Sequence, residues 1–447
     1  MDHSALRARI LAGLHAADVK RQIELQVGSA RADKWGEPDL TCSVARSAYE
    51  AQATLYDRRP TLVADDSAAA YAFEAALDEA GLFAMLPGWQ SDVLALRDGF
   101  MRPEGHTTEH GAELTFRMVQ PQYVDARGTA SAPDVPVYLA ESRLLSPLDG
   151  GDTEWVREVY DVGGKAPRFH IEDRDGKECT ARFDTRGVLE GDAYTWRHPV
   201  TGEPIVPYGA YHARRRARMF GAFERLEVWE GNLNVSVLTT MWRHGMRSGC
   251  WPQRNVANGR LVNVGDENTA VADSAIVLQW EAREEGQAIS HWQDAAAMDP
   301  EVTLRAIHAY ERRVAAQAGL NPADVERISG DPRSGYALAV NRSAQREAAA
   351  RFEPIFEPAD RGMLAVAASE WFRVGGAEFD TSALAFRYAP IPKSGDEARA
   401  EVDRVTQLVD RGLLDPVDAY VELHGVDRDT AEDALARIAE SRRRFTV

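Results

Sequence analysis

Residues 106 to 110 read His106-Thr-Thr-Glu-His110. In the H-x-x-E-H arrangement two histidines one helical turn apart bind zinc and the glutamate activates water. That geometry needs a helix. Pro103 and Gly105 precede the segment, two β-branched threonines lie inside it and Gly111 follows, a context that predicts a polar loop. The enzymatic alternative for this chain is therefore a cytoplasmic metal-dependent hydrolase using His106, Glu109 and His110, which requires stoichiometric zinc and loss of activity in Glu109→Gln. Val162-Gly-Gly-Lys165 has the composition of a phosphate loop but lacks its first glycine and the hydroxyl after the lysine, so it reads as a turn. There is no G-x-S-x-G elbow and no G-x-G-x-x-G opening a helix. No catalytic residue, metal ligand or cofactor is assigned on these grounds.

Arg214, Arg215, Arg216 and Arg218 form the densest basic group. On a helix Arg214 and Arg218 would share one face, as a local phosphate-binding patch or as a solvated or inter-subunit salt-bridging face. The background is acidic: the formal net charge is −18, which argues against a coat of positive charge gripping nucleic acid by counterion release. Cys42, Cys179 and Cys250 are widely separated, which fits neither a disulfide framework nor a structural zinc site, and a reducing cytoplasm is expected. No run of about 18 apolar residues occurs, so no membrane span is predicted. Five tryptophans, Trp229, Trp242, Trp251, Trp280 and Trp292, fall close together and serve either a core or a subunit interface.

The elements that carry these residues give an α+β chain of roughly three domains' length at about 150 residues each. Leu6, Ile10, Leu11 and Leu14 form a helical stripe, and a second helix runs through Tyr71, Phe73 and Leu77 to Gly81 behind a cap at Asp65, Asp66 or Ser67. Between residues 112 and 205 short β-branched and aromatic runs predict strands at 113–119, 135–140, 155–162, 169–172 and 180–183, with a hairpin turn at Asp173-Arg-Asp-Gly176. Helical spacing returns at Met219, Phe220, Phe223 and Leu226, breaks near Gly231 and resumes with Leu233, Val237 and Met241. Residues 253–287 predict a small strand-like module with a turn at Asn258-Gly259, and residues 286–297 a loop entering the helix that starts at Asp299-Pro300. Two short helices close the chain, one from Asp415-Pro416 to His424-Gly425 and one from Asp429 into Arg442–Arg444.

Several stretches, in order, resemble the portal proteins of tailed bacteriophages. They are Leu55-Tyr-Asp-Arg-Arg-Pro-Thr-Leu62, Gly202-Glu-Pro-Ile-Val-Pro-Tyr208, Asp331-Pro-Arg-Ser-Gly-Tyr-Ala-Leu338, Phe386-Arg-Tyr-Ala-Pro-Ile-Pro392 and Leu408-Val-Asp-Arg-Gly-Leu-Leu-Asp415. The resemblance implies a portal-like fold with a wing at 1–205, a stem helix at 206–249 and a clip at 250–285. It implies a tunnel loop at 286–298, tunnel and wing helices at 299–380 and a crown at 381–447. Residues 85–111 match no element of the family.

The same resemblance implies a dodecameric ring at the capsid vertex of a virion, made in the bacterial cytoplasm. Its partners would be terminase, the major capsid protein, a head-tail adaptor and double-stranded DNA passing without sequence specificity. Gln287, Ser290, His291, Gln293 and Asp294 would face that DNA as short polar groups with little positive charge, as sliding requires. Another structural virion protein, such as a head-completion adaptor, is the non-enzymatic alternative.

Overall fold

The computed structural model describes residues 3–445 apart from 42, 110, 186, 215–218, 221–225, 250–252, 262–279, 283, 285, 287, 289, 295–299, 321–334, 392–394 and 425–427. The chain opens with α1 (His3–Leu11), α2 (Ala16–Val27), α3 (Ser29–Trp35) and α4 (Val44–Gln52). Leu6 and Ile10 of the first stripe are buried, but α1 ends at Leu11 and Gly13 turns the chain at φ 71°, which leaves Leu14 exposed. Leu55 and Tyr56, in the link that follows, are core residues, and the Leu55 N–H donates to Gln90 Oε1 at 3.0 Å. β1 (Thr61–Val63) precedes α5 (Ala68–Glu79), whose N-terminus is capped as expected: Ser67 Oγ accepts from the Ala70 N–H at 3.1 Å.

α6 (Leu82–Leu96) continues where the sequence reading ended a helix at Gly81. It is apolar on almost every side and buries Phe83, Leu86, Trp89, Val93 and Leu94, so it shows no stripe, and Pro87 within it weakens the signal further. β2 (Asp98–Thr108) follows directly and pairs with β3 (Gly111–Val119) in a long hairpin registered from Phe100↔Val119 to Thr108↔Gly111. The strand-rich part thus begins near residue 98 rather than 112, and residues 106–108 lie in a strand rather than a loop.

β4 (Val124–Gly128), β5 (Pro136–Leu145), β6 (Glu154–Asp161) and β7 (Arg168–Glu172) form a four-stranded antiparallel meander. The turn at 173–176 is present, with Gly176 at φ 76°, but residues 180–182 form a 3-10 turn instead of the expected strand. Only an isolated bridge, Glu172↔Glu178, continues the ladder, because Thr180 Oγ1 takes the Ile171 N–H that a strand partner would use. β8 (Leu189–Glu190) and β9 (Ala193–Tyr194) make a small ribbon. β10 (Gly209–His212) then adds to β2, giving the order β10-β2-β3. Residues 209–212 are therefore sheet, not the start of the stem helix.

α7 (Leu226–Gly249) runs unbroken through Gly231, against the expected break. The glycine serves packing: a Cβ there would lie 2.6 Å from Val314 Cγ2 of the facing helix, so its absence lets the two helices touch. Between them lie β11 (Gln253–Ala257), β12 (Gly259–Leu261), β13 (Trp280–Ala282) and β14 (Ser290–Asp294), and the chain returns through α8 (Pro300–Ala318). The long α9 (Gly335–Arg373), with Pro354 and Pro358 inside it, packs on β10 and β2. β15 (Ala385–Arg387) pairs with β1, tying the C-terminal part back to the N-terminal helices. α10 (Gly395–Asp410), α11 (Pro416–His424) and α12 (Arg428–Phe445) close the chain, the last two at the expected positions.

The core has two parts. The helices bury Phe73, Leu77, Trp89, Trp229, Phe356 and Leu364, and the sheets bury Phe100, Leu139, Tyr160, Ile171 and Trp196 together with Val366 of α9. Each such side chain contributes about 1.5–3 kcal/mol by leaving water. Trp229 is thus a core residue, stacked on Tyr49 at 5.7 Å.

Candidate functional site

The described parts of residues 226–318 form an antiparallel excursion, α7 facing α8 and β11 and β12 pairing with β14 and β13. At its base Gly231 faces Val314, and Asn234 Nδ2 donates to the Tyr310 hydroxyl at 3.3 Å. Further out Gln253 pairs with Asp294 and Ala257 with Ser290, and then Gly259 with Ala282 and Leu261 with Trp280. Buried polar groups hold α7 to the body at the base: Asn232 Oδ1 accepts from the Ala45 N–H at 3.1 Å, and Thr240 Oγ1 accepts from the Asp39 N–H at 2.8 Å.

Ser290, His291, Gln293 and Asp294 accordingly sit in β14, opposite Ala257, Val256, Arg254 and Gln253 of β11. They belong to the strand module, and a boundary at 285/286 would cut across its ladder. Gln287 lies outside the described residues, as do Arg215, Arg216 and Arg218. Arg214 is described: it is exposed in the turn after β10 and lines a cavity with Arg97 and Arg351.

The most heavily charged buried feature joins the two larger sheets. Arg102 of β2 donates to Glu158 Oε2 at 2.9 Å, to the Tyr160 hydroxyl at 2.7 Å and to the Tyr208 hydroxyl at 3.0 Å. Tyr208 in turn donates to Glu141 Oε2 at 2.6 Å, and Arg117 of β3 chelates the same carboxylate through both guanidinium nitrogens. Glu104 closes the circuit, 3.2 Å from Arg117, 3.4 Å from Arg102 and 3.6 Å from Arg143. The cluster is neutral: Arg102, Arg117 and Arg143 balance Glu104, Glu141 and Glu158. Burial works against charge on Arg102, but Tyr160, Tyr208, Glu158 and Glu104 hold its guanidinium charged and raise its pKa. Burial likewise raises Tyr160 and Tyr208, so both hydroxyls stay protonated as donors. Carboxylates so engaged make a clamp rather than a general base.

A second buried group ties the chain across its length. Asp360 of α9 accepts hydrogen bonds from the hydroxyls of Tyr56 at 2.7 Å, Tyr211 at 2.8 Å and Tyr388 at 2.6 Å. Burial pushes its carboxyl up to about 6, against the three hydroxyls, which favour the ionised form. Neither cluster was visible in sequence, where Tyr56 and Asp360 stand 304 positions apart.

The His106–His110 segment does not form a metal-binding helix. His106, Thr107 and Thr108 are in β2, Glu109 is exposed in the hairpin turn and His110 lies outside the described residues. His106 Nε2 contacts Thr115 Oγ1 of the paired strand at 3.2 Å. Among the described residues no group of three or more His, Cys, Asp or Glu is placed to hold a metal, and no helix is long and apolar enough to cross a membrane.

No protein-family model and no curated protein matches the chain. Among solved structures it is similar to a chain of the virion of a native gene transfer agent (GTA) particle, at 12% identity and a TM-score of 0.37, covering 86% of this chain and 89% of that one. It is similar also to a chain from the neck of an empty GTA particle computed with C6 symmetry, at 13% identity and a TM-score of 0.38, with the same coverage of 86% and 89%. A third similar chain comes from the neck of a native GTA particle computed with C12 symmetry, at 12% identity and a TM-score of 0.35, covering 85% of this chain and 88% of that one.

Proposed function

We propose that this protein is a portal subunit: a non-enzymatic chain that assembles into a dodecameric ring at one vertex of a phage capsid, through which DNA is packaged and ejected. The observation that carries the reading is the antiparallel excursion within 226–318, a helix out, a strand module and a helix back, in the chain position where the resemblance of the flanking stretches implies a portal stem and clip. In this reading the module docks terminase during packaging and a head-tail adaptor afterwards, while the sheets and α9 form the wing against the capsid protein. α10 to α12 form the crown. Ser290, His291, Gln293 and Asp294 act within the module, and the acidic balance of a chain of net charge −18 lets DNA slide instead of binding it. A hydrolase reading has no support in the geometry of residues 106–109, which are extended and turned rather than helical.

The test is removal of the module. With residues 253–294 replaced by a short Gly-Ser bridge, the protein should still assemble through its sheets and helices, and particles built with it should fail to package DNA. Normal packaging by such particles would overturn the assignment of the module to terminase docking.

A further inference from the structure

His212 ends β10 beside Asp98, its partner across the ladder with β2. Its imidazole is buried and both nitrogens are engaged: Nδ1 lies 2.7 Å from Asp98 Oδ1, and Nε2 lies 3.1 Å from the backbone carbonyl oxygen of Asp134. A carboxylate oxygen and a carbonyl oxygen both only accept. A neutral imidazole has one N–H and can serve one of them, so the two contacts together call for an imidazole protonated at both nitrogens. Placing the extra proton on the carboxyl instead is unfavourable, because an aspartic acid ordinarily releases its proton about 2.6 pH units below an imidazolium.

The contact with Asp134 matters because of how little else holds that segment. Residues 129–134 join β4 to β5, and their other hydrogen bonds stay within the turn. The Ala132 N–H donates to Thr129 Oγ1 at 3.0 Å, the Ala132 carbonyl accepts from the Val135 N–H at 3.3 Å, and Thr129 Oγ1 lies 3.0 Å from Ser131 Oγ. Among the described residues, His212 Nε2 is the donor that ties this turn to the three-stranded sheet. Pro133 and Pro136 carry no N–H that could replace it.

The charges around the imidazole are few. On the same side of β2 the next charged side chain is Arg102, which is paired with Glu158. Arg97 and Arg214 line the cavity beside Tyr49 and Phe352. α6 and α9 pack on the alternate residues of β10, Trp89 against Tyr211 and Met363 beside Gly209, which puts Asp360 on the opposite face. Among the described residues the groups that face the imidazole are therefore Asp98, which makes a further interaction within the chain, and the Asp134 segment.

We propose that His212 is a proton-operated latch: doubly protonated, it holds the β4–β5 turn against the three-stranded sheet, and on losing one proton it lets the turn go. The sign follows from the partners. The remaining N–H stays with the carboxylate, the stronger acceptor, and leaves the Nε2 lone pair facing the Asp134 carbonyl oxygen, two acceptors in contact. Histidine is the side chain that changes charge between about pH 5 and 8, so the latch is closed on the acid side and opens on the alkaline side. The proposal does not depend on the portal reading.

Hydrogen exchange of the full-length protein tests it, followed by mass spectrometry at about pH 6 and about pH 8.5 and corrected for the intrinsic rate at each pH. Protection of the amides in residues 129–135 should fall by about tenfold or more at the higher pH, as loss of a charge-assisted bond requires. In His212→Gln, which does not titrate, protection should be low at both. Asp98→Asn is the sharper variant. Its amide can donate to Nδ1, so a neutral imidazole keeps its Nε2–H on Asp134 and the turn should stay protected at the higher pH. Wild-type protection that does not change with pH, or a pH dependence in Asp98→Asn equal to that of wild type, would overturn the proposal. The wild-type comparison decides even if a variant fails to fold.

Discussion

Arg102 carries its charge in an interior where charge is expensive, and Glu158 beside it is equally buried, their side chains 3% and 2% exposed. Arg102→Met should therefore leave Glu158 without its main partner and lower stability by about 3–5 kcal/mol, read as a shift of the urea midpoint followed by tryptophan fluorescence. The double variant Arg102→Met/Glu158→Leu should recover much of that loss. A double variant as unstable as the sum of its parts would show that packing, not charge, is what the pair supplies. Asp360 predicts a pH dependence. Its folded pKa of about 6 lies above the ordinary aspartate value of 3.8, so between the two the folded state holds a proton that the unfolded state has released. The contribution of this group to stability therefore grows as pH falls from about 7 toward 4, by up to roughly 3 kcal/mol, and shrinks again as pH rises through 6. Thermal melting at pH 7.5 and pH 5 should show that slope in wild type and a flatter one in Asp360→Asn; identical slopes would remove Asp360 as its source. Little of this was legible in sequence. Arg102 and Glu158 stand 56 positions apart, and a charged residue on a strand reads as solvent-facing until the second sheet that covers it is known.

At the scale of elements, Gly231 sets the contact between α7 and α8. Alanine would add helix propensity of up to about 1 kcal/mol, but its Cβ would press on Val314, and overpacking of this kind costs about 1–3 kcal/mol. Gly231→Ala should thus be destabilising on balance in a denaturant titration, and Val314→Ala in the same chain should restore most of the loss; a Gly231→Ala protein more stable than wild type would contradict the close approach. Elements with local signals were legible. α5 announced itself by its cap and stripe, and α11 and α12 by Asp415-Pro416 and Asp429. α6 was not, because a helix apolar on almost every side has no period. β14 was not either: Ser-His-Trp-Gln-Asp shows no apolar alternation, and its ladder partner begins at Gln253, far back in the chain. Gly231 read as a helix breaker because propensity is local, whereas the reason for the glycine is the helix across from it.

At the scale of the whole molecule, α+β architecture was readable from the change of texture along the chain, while the joins between distant parts were not. β1 with β15, and Asp360 with its three tyrosines, bring the chain's beginning and end together by contacts that no spacing announces. The net charge of −18 per chain works against association of copies, so ring formation should increase between about 0.05 and 0.3 M salt as screening shortens the repulsion. Light scattering across that range checks it; rings that dissociate with salt would place opposite charges, not covered apolar surface, at the subunit contact. The central claim is the ring itself. The most direct measurement is the native mass of the purified protein together with two-dimensional electron-microscopy averages across concentration and salt. The account predicts rings with a central hole near twelve times the chain mass of 49.4 kDa. A species that stays monomeric or dimeric at every concentration and salt, with no ring in the averages, would contradict it.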